Sequence, residues 1–389
     1  MFRIGKEELE ELAKVIEARI MFKVNNGLKE CYNVEEKLQS IFGVQHALFM
    51  TNGQAALTSA LVAAGIGPGD QVIVPAYTYI ATAMAVVSAG AIPVIAEVDE
   101  TLTLDPEDFE RKITPNTKAV MPVHIQGFPC NMDAICEIAA KYNIIVIEDA
   151  CQADGGSYKG KRLGAIGDAG ALSFNYYKII SSGEGGALLT NNRKIFEASL
   201  IYHDSSAVAF FGDQMADFTT EPFCGTEYRA NEVSAAIMNV QLGRLDGILA
   251  DLRRNKAYLM KKLEGYVEFA PSNDIEGDCA TTLPLRFDTA EKAAALGAAL
   301  KYTVPINTGK HIYTHWTPIL DKRGAFNPLM NPFNMEANKG IIPEYTVDMC
   351  PKTLDYLKRT VYVMINPDAT IEELDAQAQT IKEELAKLK

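Results

Sequence analysis

Between residues 44 and 192 the chain alternates short aliphatic, β-branched runs with helical stretches, and this alternation limits the fold more than any other feature. The runs at 71–76, 92–98, 119–125, 144–150, 169–174 and 187–190 are bounded by Gly, Pro or Asp and read as buried strands. Helices are expected between them at 53–65 and 131–142, with Asn131 and Asp133 supplying polar groups at the start of the second. Such βα alternation gives an α/β fold, a largely parallel sheet covered by helices on both faces. Ligands of such sheets lie beyond the carboxyl ends of the strands. The run Ile144-Ile145-Val146-Ile147-Glu148-Asp149 places Asp149 at such an end, with Glu148 pointing to the opposite face.

The rest of the chain reads as a bridge and a smaller unit. Val233, Ile237, Val240, Leu242, Leu245, Ile248, Leu249 and Leu252 form one apolar face of a helix over 231–264. We expect a large domain over 1–250 and a small α/β domain over 251–389. The small one should hold a strand near 281–287, a helix near 290–300 and a last helix over 371–388, capped by Thr370 with Glu373 in its first turn. The stretch 302–353 is rich in Pro, Asn and aromatic residues and reads as a long irregular, functional loop.

A formal charge of −13 disfavours a broad nucleic-acid or anionic-membrane surface. No apolar run approaches the roughly 20 residues that span a bilayer, and Met1-Phe2-Arg3-Ile4 lacks the apolar core of a signal peptide. The seven cysteines are scattered without a CxxC pair, which argues for reduced thiols and a cytoplasmic location.

Lys178 lies in Ser173-Phe174-Asn175-Tyr176-Tyr177-Lys178-Ile179-Ile180-Ser181-Ser182-Gly183-Glu184-Gly185-Gly186. A lone lysine after a strand is ordinarily a solvated surface group. Here it accompanies a strand-end acid and a glycine-rich turn, three parts of a pyridoxal phosphate site. Lys178 is the candidate for the covalent bond to the cofactor aldehyde, with aromatic and apolar neighbours expected to favour its neutral amine. The freed amine can then carry a proton between substrate and cofactor. Asp149 is the candidate partner of the pyridinium nitrogen, worth roughly 1–3 pKa units at close range.

The turn Thr51-Asn52-Gly53-Gln54 entering a helix offers free N–H groups for the phosphate, and Ser173 adds a hydroxyl. Tyr79 is the candidate stacking ring, although core packing explains a tyrosine there equally well. Gln152 can reach the ring hydroxyl. Gly183-Glu184-Gly185-Gly186 does not complete a dinucleotide fingerprint, no Walker A sequence occurs, and Ile312 stands where HExxH needs Glu between His311 and His315. No metal site is expected.

At these residues the chain resembles the DegT-type (StrS-like) sugar aminotransferases of the aspartate-aminotransferase fold type I. The likeness is carried by Glu148-Asp149-Ala150-Cys151-Gln152-Ala153, Gly164-Ala165-Ile166-Gly167-Asp168, the Lys178 segment and Ile66-Gly67-Pro68-Gly69-Asp70-Gln71-Val72-Ile73-Val74-Pro75. Asp99-Glu100-Thr101-Leu102-Thr103-Leu104 and Gly155-Gly156-Ser157-Tyr158-Lys159-Gly160 look most like the 8-amino-3,8-dideoxy-manno-octulosonate transaminase branch. The resemblance implies a seven-stranded sheet, Lys178 as Schiff-base lysine, Asp149 on the pyridinium and Gln152 on the ring hydroxyl. It also implies Gly53, Gln54 and Ser173 on the phosphate, Tyr79 stacked on the ring, and a homodimer with shared active sites. Some relatives replace the lysine with histidine and become dehydratases, so its presence here favours transamination.

The expected function is transfer of an amino group from glutamate or glutamine to a keto- or aldehyde-sugar by ping-pong kinetics. His311, His315, Trp316 and Arg229 are candidate substrate residues. Glu227 stands where the family usually places Asn before Tyr228-Arg229, in a loop reaching the neighbouring subunit's phosphate. An acid there repels phosphate unless it is paired, for example with Arg229. That departure keeps open a second class, a pyridoxal-phosphate-binding regulatory or sensory protein with little catalysis.

Overall fold

A computed structural model describes residues 3–25, 27–204 and 217–388; Met1 and Phe2 of the expected helix entry lie outside them. The described residues form twelve strands. They are β1 (His46–Met50), β2 (Gln71–Pro75), β3 (Ile92–Ala96), β4 (Thr117–Val120), β5 (Ile145–Asp149) and β6 (Ser157–Tyr158). There follow β7 (Lys161–Arg162), β8 (Ala169–Ser173), β9 (Gly186–Thr190), β10 (Glu268–Phe269), β11 (Thr282–Arg286) and β12 (Thr360–Met364).

The main sheet has seven strands in the order β1-β9-β8-β5-β4-β2-β3. Its centre is parallel, from β8 through β5 and β4 to β2 and β3. β9 turns back antiparallel on β8, and β1 lies antiparallel on β9. The expected largely parallel, seven-stranded α/β sheet is what forms.

Successive strand residues feed opposite cores, as a sheet covered on both faces requires. Val72 and Val74 pack with Leu57 and Leu61 of the helix Gly53–Ala63 and Val86 of the helix Ala81–Ser88. Ile73 packs on the other side with Ile135 of the helix Met132–Tyr142 and Leu242, Leu245 and Leu249 of the helix Glu232–Leu263. Each fully buried leucine contributes about 1.5–3 kcal/mol of transfer free energy.

β4 stops at Val120, short of the expected 125. Pro122 has no N–H to donate to a ladder, and Gln126 turns the chain with φ +53°. Pairing survives there as one bridge, Val123 to Asp149.

The long helix runs from Glu232 to Leu263, with the Asn231 side chain accepting from the Ser234 N–H at its start. The expected division at 250/251 falls inside it. Beyond it β10, β11 and β12 form a three-stranded antiparallel sheet flanked by the helices Ala290–Leu300 and Ile371–Ala386. Thr370 and Glu373 make a reciprocal capping box on the last helix, as their spacing suggests. Leu283, Leu296 and Ile381 of this unit share one core with Leu252 and Leu259 of the long helix.

Candidate active site

A cavity of about 570 Å³ opens at the carboxyl ends of β5 and β8, within the range of small-ligand sites. Asn52, Gly53, Gln54, Tyr79, Asp149, Gln152, Ser173, Lys178 and His311 all line it. The parallel ladder accounts for the two strand-end groups, because β5 and β8 pair from Ile147–Ala169 through Asp149–Ala171.

Asp149 is buried, 5% exposed. Its Oδ2 accepts from the Thr82 hydroxyl at 2.7 Å and its Oδ1 from the Cys151 N–H at 3.1 Å. These donors hold a carboxylate in one orientation and leave lone pairs for a third donor. Glu148, next in the strand, faces away as expected. It accepts from the Gly164, Ile166 and Gly167 N–H groups and lies 3.0 Å from His124 Nε2. The Cys130 N–H donates to His124 Nδ1 at 3.1 Å, so the ring proton sits on Nε2, directed at Glu148. Glu148 thus anchors the glycine-containing turn 164–167 beneath the sheet.

Lys178 occupies the connection between β8 and β9. Phe174 and Gly185 close its base, with Phe174 N–H to the Gly185 carbonyl at 2.8 Å and Ser182 N–H to the Phe174 carbonyl at 3.1 Å. Asn175 shapes the turn: its side chain accepts from Tyr177 N–H and its carbonyl from Lys178 N–H. Lys178 itself is half-buried. Tyr176 and Tyr177, expected to wall the lysine with aromatic surface, are instead 65% and 82% exposed. Tyr177 lines the cavity beside Lys178 from its solvent side, and Tyr176 does not line it.

The candidate phosphate cup has a clear physical cause. Asn52 caps the helix Gly53–Ala63 by accepting from the Ala55 N–H at 2.8 Å. Gly53 and Gln54, in the first turn, keep N–H groups without intrahelical acceptors. A Cβ on Gly53 would lie 2.7 Å from Cys151 Sγ and 2.9 Å from Ser173 Cβ. One on Gly186 would lie 2.3 Å from the Asn52 carbonyl carbon. Both positions therefore require glycine, and their absent side chains bring the helix start against the ends of β8 and β9. Free N–H groups at the positive end of a helix beside the Ser173 hydroxyl suit a phosphate.

Gln152 accepts from the Gln126 N–H through Oε1 at 3.1 Å, which leaves its NH₂ to donate. Tyr79 is 37% exposed, with its ring centroid 5.3 Å from that of His311 and Lys310 Nζ 4.9 Å from its centre. Burial lowers the pKa of His311, and the charges of Lys178 and Lys310 add to that effect.

Three substrate candidates lie elsewhere in the described residues. Trp316 is fully buried and donates from Nε1 to the Lys310 carbonyl at 3.0 Å, a structural anchor. His315 is exposed and lies 3.2 Å from the Thr314 hydroxyl. Arg229 pairs with Asp204 and, at 2.9 Å, with Glu227, and its guanidinium stacks on Phe22. The acid at 227 is thus a paired one. Cys151 and Lys310 at the cavity, and the buried Thr82 behind Asp149, were not anticipated; no sequence pattern marks Thr82, whereas Lys310 adjoins the candidate His311.

The donor set fits pyridoxal phosphate: one lysine, one oriented buried carboxylate, an aromatic face, an amide donor and a capped helix start in a single cavity. Among the described residues no cluster of three or more His, Cys, Asp or Glu is arranged to hold a metal ion.

Residues 3–375 match the DegT/DnrJ/EryC1/StrS aminotransferase family. A GDP-perosamine synthase of Caulobacter vibrioides is 42% identical over 233 residues, 59% of this chain and 60% of that protein. That match spans less than two thirds of the relative's own length. The spore coat polysaccharide biosynthesis protein SpsC of Bacillus subtilis is 30% identical over 395 residues, 98% of this chain and 95% of that protein. The crystal structure of 3-amino-5-hydroxybenzoic acid synthase superposes with a TM-score of 0.79 at 27% identity, covering 100% of this chain and 99% of that one.

Proposed function

The chain belongs to the DegT/DnrJ/EryC1/StrS aminotransferase family, a pyridoxal-phosphate family, and from that membership we propose a specific reading. The protein moves an amino group from glutamate or glutamine to a keto- or aldehyde-sugar, either nucleotide-linked or of the octulosonate type, in two half-reactions. The observation that carries this reading is the meeting of Lys178, Asp149, Ser173 and the Gly53–Gln54 helix start in one cavity.

When bound, pyridoxal phosphate supplies the electron sink that makes the substrate Cα proton acidic. The chain's own groups do the rest. Lys178 would hold the cofactor through Nζ, and once freed that Nζ would take the substrate Cα proton and hand it, from the same face, to the cofactor carbon it had been bonded to. Asp149, fixed by Thr82 and Cys151, keeps the ring nitrogen protonated. Gly53, Gln54 and Ser173 would hold the phosphate, the free NH₂ of Gln152 would donate to the ring hydroxyl, and Tyr79 would offer a stacking face. A homodimer acting in the cytoplasm is part of the same proposal.

The regulatory alternative drew on Glu227, and its ion pair with Arg229 removes that motive. The test is spectroscopic. Loss of the visible cofactor band on adding glutamate, followed by its return with a keto-sugar and a product mass matching amination, supports the reading. A saturated cofactor site unresponsive to every donor tried contradicts it.

A further inference from the structure

Lys310 has no place in the chemistry above, yet its side chain lines the same cavity. The backbone beneath it is fixed from two sides. Its carbonyl accepts from the Ile80 N–H at 3.0 Å and from Trp316 Nε1 at 3.0 Å. The neighbouring segment is stitched to the end of β2 by the Tyr77–Ile312 bridge and by Tyr313 N–H to the Ala76 carbonyl. From this fixed base the ammonium lies over Tyr79, 4.9 Å from the ring centre. Among the described residues it forms no ion pair. Glu184, which shares the cavity, does not pair with it.

Apart from the exposed Glu184, the cavity's charges can be accounted for one at a time. Asp149 is committed to Thr82 and Cys151, and Lys178 to the cofactor. His311 is held toward its neutral form by burial and by the two lysine charges. Arg229 is tied to Asp204 and Glu227 and does not line the cavity. An amino-acid donor must nonetheless bring a carboxylate into this partly desolvated space, where an unpaired anion is costly. Among the described residues that line the cavity, Lys310 is the remaining cation.

We propose that Lys310 is the specificity-determining residue that receives a carboxylate of the substrate. The inference deepens the aminotransferase reading and rests on it. The carboxylate comes either from the amino donor or from a sugar-acid acceptor; the chemistry of recognition is the same. A point charge on a flexible stem suits both, since ping-pong substrates occupy one site in turn.

The experiment compares holoenzyme of the wild type with Lys310→Met and Lys310→Arg. L-Glutamate is titrated against the visible cofactor band. D-Glucuronate and D-glucose are then compared as inhibitors of that conversion. Loss of one charge-assisted contact corresponds to roughly a 10–100-fold rise in half-saturation. A rise of that size for glutamate in Lys310→Met, largely restored in Lys310→Arg with cofactor uptake unchanged, assigns the donor carboxylate. Loss of the preference for glucuronate over glucose, with glutamate unaffected, assigns the acceptor carboxylate. No change in either arm overturns the proposal. Should the wild type fail to convert any donor, the aminotransferase reading fails, and calorimetry with maleate still reads Lys310. Binding lost in Lys310→Met supports it; equal binding in both, or none to wild type, overturns it. Lys310→Gln replaces the Met variant if the latter does not fold.

Discussion

The floor and the mouth of the cavity are built by different means. The floor comes from strand ends: Asp149 on β5, Ser173 on β8 and the Lys178 connection into β9. A regular ladder sets their spacing, so a one-residue slip would turn Asp149 to the wrong face. The mouth takes Lys310 and His311 from the irregular stretch 302–353, held by a few backbone bonds and by single side chains. Trp316 donates to the Lys310 carbonyl, Tyr313 to the Val347 carbonyl at 2.7 Å, and Tyr345 to the Pro93 carbonyl at 2.7 Å. On the proposed reading, chemistry sits on the periodic part and recognition on the aperiodic part. Changes in the floor should therefore lower kcat, and changes in the mouth should mainly raise KM.

The largest expected effect tests the floor. Lys178→Ala should abolish the visible cofactor band and reduce turnover by at least roughly 10²–10⁴-fold, read by absorbance and by product mass. Asp149→Asn should follow, lowering kcat by roughly 10–1000-fold, the equivalent of 1–3 pKa units at the ring nitrogen. If KM alone rose in that variant, the assignment of Asp149 to the floor chemistry would be wrong. Thr82→Val removes one donor to Asp149 and should cost about 1 kcal/mol, near fivefold in kcat, by steady-state kinetics.

Trp316→Phe probes the mouth. It removes the donor to the Lys310 carbonyl while leaving an aromatic core residue, and should cost about 1–3 kcal/mol in chemical denaturation. Its kinetic signature should be a raised KM with kcat nearly intact; the reverse split would erase the contrast between the regions.

The last test leaves catalysis and concerns Asp154, two residues after Gln152 in the chain. It is 1% exposed, neither carboxylate oxygen has a hydrogen-bond partner, and burial raises its pKa well above the usual value. The folded protein therefore binds this proton more tightly than the unfolded chain. Stability should fall as pH rises above the unfolded value near ~3.9, by at most about 1.4 kcal/mol per pH unit. Asp154→Asn should flatten that dependence in denaturation curves measured across pH, and an unchanged slope would show that the carboxyl is not buried in solution.

The same contrast explains what the sequence made legible. β5, the Lys178 segment and the Asn52–Gln54 turn could be read because each combines a periodic run with a terminating residue of distinct chemistry. Helix starts at Thr370 and Asn131 were equally readable from their caps. Trp316 was not: a lone tryptophan beside two histidines suggests a binding surface, and only the fold shows its N–H turned to a carbonyl in the core. Thr82 was hidden because its link to Asp149 crosses from the helix Ala81–Ser88 to a strand far along the chain. Lys310 was passed over because its importance lies in the absence of a partner, which periodicity does not encode.

The most direct test of the account asks which cavity lysine carries the cofactor. The holoenzyme would be reduced with borohydride, digested and mapped by mass spectrometry. The account predicts the pyridoxyl group on the peptide containing Lys178 and none on the peptide containing Lys310. Labelling of Lys310, or of neither lysine, would contradict it.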